Sequence, residues 1–280
     1  MYRKFIRIFP SLRRLIQIVK RVDSPAITKR QRFGAGVITC SILLFLTENL
    51  LGDYSIVGVL AISALADIFL LWAVYKDLQD NFASHNFILP FFYTMAFGLF
   101  YLLVPGRLVI RGLMTAAYAL GLYSIFLSQN IFTVSSIRTI ALLSGARTVS
   151  FVITLLVYFF LSNVIFSLHL NIIFTLLLLF IMSLSLILHS IWTYTLEKNI
   201  LFSMSWGLLL SLCIIEVTVL LWFWPSTPTI IALFLTGFFY IIVGLSHIWL
   251  EKRLFKSVML EYGWVAVVVF TVLVLFTSWT

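Results

Sequence analysis

The stretch Ser211–Pro225 reads SLCIIEVTVLLWFWP, an apolar run that ends in two tryptophans and a proline and contains one charged residue, Glu216. Similar apolar runs recur along most of the 280-residue chain, at the length of about 17 to 25 residues that crosses a bilayer. Because 62% of the residues are hydrophobic and only 10% are charged, a soluble domain would lack the polar surface to cover itself. The sequence therefore predicts a membrane protein.

The membrane spans are predicted to be helices. Lipid cannot satisfy backbone polar groups, so spanning segments are helices or closed barrels, and these runs lack the alternating pattern of barrel strands. We expect an all-α, polytopic transmembrane helical bundle of about nine spans, or eight if the short last run does not cross. The predicted domains are a basic leader, 1–33, and a transmembrane domain, 34–280. The predicted spans are 34–51, 55–75, 87–104, 108–127, 148–167, 172–195, 203–224, 229–249 and 264–279.

The distribution of charge predicts the orientation of the chain. If the amino terminus is cytoplasmic, seventeen of the nineteen Lys and Arg residues fall on the inner side, and only Arg107 and Arg111 fall outside, as the positive-inside rule requires. All eight tryptophans lie near a predicted span end, where indoles prefer the membrane–water interface. The prediction is a multi-pass protein of a cell membrane with a cytoplasmic amino terminus.

The leader carries an amphipathic pattern after Pro10. Apolar residues at 12, 15, 16, 19 and 22 share one helical face, whereas Arg13, Arg14, Lys20 and Arg21 lie largely on the other. We interpret this segment as a helix on anionic inner-leaflet lipids, with each basic residue contributing about 1 kcal/mol near the surface. A disordered tail that orients the first span is the alternative. Nucleic acid is not a predicted partner, because membrane binding explains the apolar face better.

Five ionisable residues within the spans form a candidate buried polar network. An ionisable side chain in a span costs about 2.5 to 3.5 kcal/mol on insertion scales, so each one needs an explanation. The first interpretation is structural: Arg111 neutralises a glutamate, and Asp67 bonds His189 or a nearby hydroxyl. The second is a path for a proton or cation between an outer and an inner cluster. The candidates are Glu48, Asp67, Arg111, His189 and Glu216.

Other polar and small residues at helical spacing are predicted to mediate contacts between helices. They comprise Ser150, Thr154, Tyr158 and Ser162 on span five, Ser185, His189 and Thr193 on span six, the pairs Gly112–Ala116 and Ala117–Gly121 on span four, and Gly237, Tyr240, Gly244 and His247 on span eight. Residues 128–147 are expected to form a second interfacial helix or a simple linker. The two cysteines, Cys40 and Cys213, lie in apolar spans and do not indicate a disulfide framework.

The sequence gives little support for a catalytic or metal-binding site. The sequence has no H-E-x-x-H, no G-x-S-x-G and no glycine-rich phosphate loop. The pair Asp77 and Asp80 is interpreted as a solvated helix end. We therefore predict that the protein is not an enzyme and that it requires no cofactor or metal.

Three runs resemble a family of uncharacterised multi-pass membrane proteins from candidate-phyla bacteria with reduced genomes. They read QNIFTVSSIRTIALLSGARTVSFVITLL (129–156), EVTVLLWFWP (216–225) and GLSHIWLEKRL (244–254). The resemblance covers mainly residues 120–262. It implies a bacterial cytoplasmic membrane and transfers no catalytic residue, because the family has no assigned activity.

Two functions remain open from the sequence. The first is a non-catalytic membrane component or scaffold, whose buried polar residues hold the helices together. The second is a transporter or flippase for a small or lipidic molecule, with the candidate network lining its path. Because the outer connectors are short, a protein partner is expected to dock on the cytoplasmic side.

Overall fold

The structure, a computed structural model, describes residues 28–50, 52–78, 84–104, 108–135, 141–196 and 200–277. In these ranges the regular structure is helical, without strands. Two short 3-10 helices, Gly52–Tyr54 and Ser84–Phe87, accompany the α-helices. The α-helices are α1 (Lys29–Leu50), α2 (Ser55–Leu78), α3 (Ile88–Leu103), α4 (Leu108–Ser135), α5 (Leu143–Ser167), α6 (Ile172–Thr195), α7 (Ile200–Trp222), α8 (Pro228–Leu250) and α9 (Lys256–Leu275).

Among the described residues, eight helical segments are long and apolar enough to cross a membrane: α2, α3 together with the 3-10 helix Ser84–Phe87 before it, and α4 to α9. The predicted all-α, polytopic transmembrane class is therefore confirmed. The last helix, whose length the sequence left in doubt, is one of the eight, and the crossing of the predicted first span, 34–51, stays a prediction.

Three helices, α4, α5 and α9, extend well beyond their predicted spans. α4 continues to Ser135 and α5 begins at Leu143, so most of the predicted connector 128–147 belongs to these two helices. Residues 136–140 lie outside the described ranges. α9 begins at Lys256 and has 20 residues, whereas the predicted span started at 264. A helix retains its backbone hydrogen bonds when it leaves the hydrocarbon, so an apolar run marks the span and not the helix ends.

Local sequence explains how several helices begin and end. The side chain of Asn171 accepts a hydrogen bond from the backbone N–H of Ile173 and caps α6. At the other end of α6, Leu196 adopts a left-handed conformation with φ of 48°. Pro228 occupies the first turn of α8, where its missing N–H has no intrahelical partner to lose.

The described helices form two compact units. The predicted division into a leader, 1–33, and a transmembrane domain, 34–280, stays a prediction. The first unit contains α1, α2, α3 through Tyr101, α4, and the start of α5 through Val149. The second contains α5 from Ser150 onward together with α6 to α9. The predicted leader, 1–33, lies almost entirely outside the described residues.

In the first unit, α1 packs along α2 and α4, and α2 also contacts α4. α3 approaches its neighbours closely at Gly98, where a Cβ atom would come within 2.6 Å of Val59 and 3.2 Å of Leu44. A small residue there lets the helices approach each other, which membrane helices use in place of a hydrophobic driving force.

In the second unit, α6 packs along α7, and α8 contacts α6, α7 and α9. Gly237 and Gly244 of α8 lie against Val269 and Tyr262 of α9. The indole N–H of Trp224, just after α7, donates to the hydroxyl of Thr277 at 2.7 Å. These contacts hold α9, most of whose surface is exposed, against the rest of the unit.

Candidate functional site

Asp67, on α2 in the first unit, is a residue of the predicted network that has a buried oxygen atom without a described hydrogen-bond partner. Its Oδ1 atom is buried and has no hydrogen-bond partner among the described residues. The Asp67 carboxyl interacts electrostatically with Cys40 of α1, which is fully buried. The expected hydrogen bond to a nearby hydroxyl is therefore not made by this oxygen within the described part of the first unit. His189 belongs to the second unit, and its pairing with Asp67 stays a prediction. A carboxyl oxygen in this position needs a proton, a water molecule or a cation to satisfy it.

Arg111 lies in the first turns of α4, and its guanidinium carbon is 5.8 Å from the centre of the Tyr101 ring. That distance fits a cation–π contact. Glu48 and Glu216 are the two glutamates that could neutralise Arg111. The side chain of Glu48, in α1, lies outside the described part of the chain, and Glu216 belongs to the second unit. The pairing of Arg111 with either glutamate stays a prediction.

A pair of buried tyrosines fills the centre of the first unit. The rings of Tyr93 and Tyr118 stack with centroids 5.6 Å apart. The hydroxyl of Tyr93 donates to the backbone carbonyls of Ala117 and Tyr118, each at 3.2 Å, and the hydroxyl of Tyr118 is 3.1 Å from that of Thr94. Sequence reasoning missed this pair because the search within the spans looked for ionisable residues that are costly to insert and for hydroxyl and small residues at helical spacing, and neither pattern includes Tyr93 or Tyr118.

A second polar group of the first unit lies near the start of α3 and the end of α4. The side-chain N–H of Asn86 donates to the Thr133 hydroxyl at 2.7 Å, and both residues are buried. The crevice that they line with Gln129 and three apolar residues is too narrow for a water molecule. Neutral amides carry no charge signal, so a search for ionisable residues in the spans overlooked them.

In the second unit, two buried histidines each meet a serine of a neighbouring helix. The Nε2 atom of His189 on α6 is 3.3 Å from the hydroxyl of Ser150 on α5. The Nε2 atom of His247 on α8 is 3.0 Å from the hydroxyl of Ser190 on α6. Together these bonds link α5, α6 and α8. We call these four residues the histidine–serine links.

A serine hydroxyl 3.0 Å from a histidine nitrogen also satisfies the distance for a nucleophile and its general base. Here, however, the His247 ring is covered by Tyr194, stacked with centroids 3.7 Å apart, and by the edge of Phe151. Ser190 and His247 are each only 3% exposed. This enclosure leaves no place for a substrate beside the serine, so the geometry favours a contact between helices.

The stripes assigned to helix packing are confirmed where the structure shows their contacts. On α5, Ser150 bonds His189, and Tyr158 lies 3.2 Å from the hydroxyl of Ser183 and stacks on Phe239 at 4.3 Å. On α4, Gly121 makes the predicted close contact, because a Cβ atom there would collide with the Tyr93 hydroxyl. Gly112 does not, since a Cβ atom there would meet nothing within 4 Å.

Glu216 lies on the exposed side of α7, in contrast to the expectation that it would be buried. Leu212 and Leu220, one turn away on either side, are 54% and 70% exposed. Sequence position gives the depth of a residue in the membrane but not the direction of its side chain. The expectation of burial rested on the general preference of acidic residues for the bundle interior.

The membrane-surface residues predicted in the leader, Arg13, Arg14, Lys20 and Arg21, lie outside the described residues. In the part that the structure describes, no three His, Cys, Asp or Glu side chains come together as metal ligands would.

The helices and the polar contacts inside them define a polytopic α-helical membrane protein. Residues 55–276 match a family described as a protein of unknown function, DUF5656, and the chain belongs to this family. The match includes α2 to α9 in full, a longer region than the resemblance seen in the sequence. No curated protein and no solved structure matches the chain.

Proposed function

We propose that this protein is a non-catalytic, multi-pass component of a bacterial cytoplasmic membrane, in which buried polar residues hold the helices of each unit together. The amino terminus is cytoplasmic in this proposal, because seventeen of the nineteen Lys and Arg residues then lie inside. The basic leader contacts anionic lipids of the inner leaflet, and a protein partner docks on the cytoplasmic side. The resemblance to proteins of candidate-phyla bacteria supports the bacterial membrane.

The observation that carries this proposal is the enclosure of the histidine–serine links. Each histidine has a serine partner, and the exposed fraction of every residue in the links is 3% or less. A transport path needs polar groups that face water or substrate, whereas these groups face each other. Between membrane helices, one such hydrogen bond contributes about 0.6 kcal/mol on average and at most about 1.7 kcal/mol.

The hydroxyl groups support the same function. Within the spans, the side chains of Ser63, Thr154, Thr218 and Thr236 donate to the carbonyl four residues earlier in their own helix, at 2.7 to 2.8 Å. Hydroxyls bonded in this way satisfy themselves without water. They therefore do not indicate a hydrated path.

A pair of variants tests the proposal. His247→Leu removes the bond to Ser190, and we expect the unfolding free energy in detergent to fall by about 1–3 kcal/mol. Thr271→Leu is the control and should have little effect, because Thr271 is exposed on α9 and its hydroxyl bonds to the Val267 carbonyl of its own helix. In reconstituted vesicles, wild type and both variants should pass protons no faster than protein-free vesicles. A flux in wild type that His247→Leu abolishes without loss of stability would contradict the proposal.

Asp67 is the observation that favours the second candidate, a transporter for a small or lipidic molecule. Its unsatisfied Oδ1 atom is the kind of group that takes up a proton or cation. Under the scaffold function, Asp67→Asn keeps or raises stability, because the amide is neutral and of similar size. Under the transporter function, the same substitution abolishes a measurable flux in vesicles. The two candidates thus predict different results from one variant.

A further inference from the structure

α7 presents an exposed apolar stripe with one acidic residue near its middle. The stripe consists of Leu209, Leu212, Glu216, Leu220 and Phe223, all exposed. Their spacing of three and four residues places them along one narrow seam, as in helices that pair at a shallow angle. Exposed leucines alone would need no explanation, since lipid tails cover them as well as another helix does. The glutamate does need one.

Lipid cannot satisfy Glu216. Trp224 marks the outer interface, and Glu216 lies eight residues before it, about 12 Å deeper at 1.5 Å per residue. At that depth a carboxyl group must lose its charge or find a partner, and a neutral acid still requires one hydrogen-bond donor and one acceptor to complement it. In its own unit Glu216 has neither a hydrogen bond nor an ion pair with a described residue. A partner for Glu216 therefore lies beyond the described residues of its own unit.

We propose that the Glu216 stripe is the contact with a second copy of this chain, with α7 of the two copies side by side and their Glu216 carboxyls paired as neutral acids. Two copies inserted in one membrane cross it in the same direction, so residues of equal depth meet. In a two-fold contact the same patch faces itself, and Glu216 therefore meets Glu216. Each neutral acid then donates one hydrogen bond and accepts one.

The same argument disfavours a different protein on this face. A foreign helix would have to present a donor at the depth of Glu216, and nothing in the chain specifies such a helix. A second copy brings the matching group to that depth by symmetry. Leu212 and Leu220 lie one turn on either side of Glu216. Across the two-fold axis of the dimer they would pack against the second copy and exclude lipid from the pair of carboxyl groups.

Cysteine cross-linking in membranes tests the geometry. Cys213 is first replaced by serine, whereas Cys40 is buried and stays. Leu212→Cys and Leu220→Cys should each form a disulfide-linked dimer under mild oxidation. The control is Val268→Cys on α9, which is 58% exposed and also lies in an apolar surface. Equal cross-linking at all three positions would overturn the proposal, because it would mean random collision.

Variants of Glu216 test the chemistry in bilayers of defined protein-to-lipid ratio. Glu216→Gln retains a donor and an acceptor and should keep the dimer, whereas Glu216→Leu should weaken it at least about tenfold. The thermal unfolding of the Leu variant checks that it still folds. A chain that stays monomeric at every ratio, or a dimer that Glu216→Leu leaves unchanged, overturns the inference. So does a Glu216-dependent complex with another membrane protein in place of the second copy. The inference requires only that the chain spans a membrane. If the dimer is not found, the scaffold function is unaffected, because the flux assay on His247→Leu tests that function separately.

Discussion

Gly121 shows how strongly one position on a membrane helix can determine the packing around it. The Tyr93 hydroxyl occupies the space that a side chain at position 121 would take. The hydroxyl is also bonded to two backbone carbonyls of α4 and cannot turn away without losing both bonds. Gly112 lies on the same helix, but no atom outside its own helix lies within 4 Å of the place its Cβ would take. The two glycines look alike in the sequence and differ in what they contact.

We expect Gly121→Ala to lower the unfolding free energy by about 1–3 kcal/mol, because overpacking displaces the Tyr93 ring and breaks its hydrogen bonds. Gly112→Ala is the control and should be neutral or slightly stabilising, since alanine favours a helix over glycine. Thermal unfolding in detergent measures both. Equal melting temperatures for the two variants would contradict the close contact at Gly121.

Tyr158 is a second residue whose contribution to stability can be tested, with the ring and the hydroxyl examined separately. Its ring stacks on Phe239 and its hydroxyl meets that of Ser183, with all three residues fully buried. Tyr158→Phe keeps the ring and should cost about 0.5–1.5 kcal/mol, whereas Tyr158→Leu also loses the stacking and should cost more. The double variant Tyr158→Phe with Ser183→Ala should be less destabilised than the sum of the single changes. Additive effects would mean that the two hydroxyls do not interact.

At this scale, the sequence located the important positions but not their partners. His189 was identified from its depth in an apolar run, and Ser150 from its place in a hydroxyl stripe. Their bond depends on which helices are neighbours, which the spacing along one helix does not contain. Glu216 was expected to be buried but lies on the exposed side of α7, because apolar residues occupy every face of this helix and the sequence pattern does not show which face is covered.

Among the helices, α9 depends most on a few contacts. It packs against α8, and of its residues only Leu273 is buried. Gly244 lets α8 receive Tyr262, and Gly237 lets it receive Val269; a Cβ atom at either glycine would approach its neighbour to between 2.5 and 2.6 Å. Both glycines lie on the face of span eight that the sequence assigned to helix packing.

We expect Gly244→Val to separate α9 from α8 while the other helices keep their contacts, because valine places two methyl groups where Tyr262 lies. Gly263→Ala is the control, since a Cβ atom at Gly263 would meet nothing within 4 Å. Separation can be measured as faster alkylation of a cysteine introduced at Val269. Unchanged protection of that cysteine in Gly244→Val would contradict the proposed dependence of α9 on this contact.

The helices themselves were the most predictable feature. Runs of apolar residues gave the number of helices and most of their centres, because lipid leaves the backbone no alternative to helical hydrogen bonding. The ends were less predictable. α4 continues to Ser135 through Gln129 and Asn130, polar residues that resemble a connector in the sequence. In the structure Gln129 is buried and Asn130 accepts a hydrogen bond from Lys29 at 3.5 Å.

At the scale of the whole molecule, the orientation in the membrane follows from the basic residues and is open to a direct test. The turn that contains His169 should lie outside, and the turn that contains Arg253 should lie inside; both residues are exposed. In a variant with Cys213→Ser, we expect His169→Cys to react with a membrane-impermeant maleimide in intact cells. Arg253→Cys should react only after the membrane is opened. Labelling of both positions from the same side would contradict the predicted topology.

The division into two units also affects how the tryptophans absorb light, because they are distributed unequally between the units. Trp72 is the one tryptophan in residues 1–149, whereas the second unit brings the indoles of Trp206 and Trp249 to a centroid distance of 4.8 Å. Two chromophores held that close in a fixed orientation couple and produce a strong near-ultraviolet circular dichroism band. The part of the band that Trp206→Phe removes comes from this contact, and its loss on heating would report the parting of α7 from α8. The protein therefore contains its own spectroscopic probe for one half of its structure.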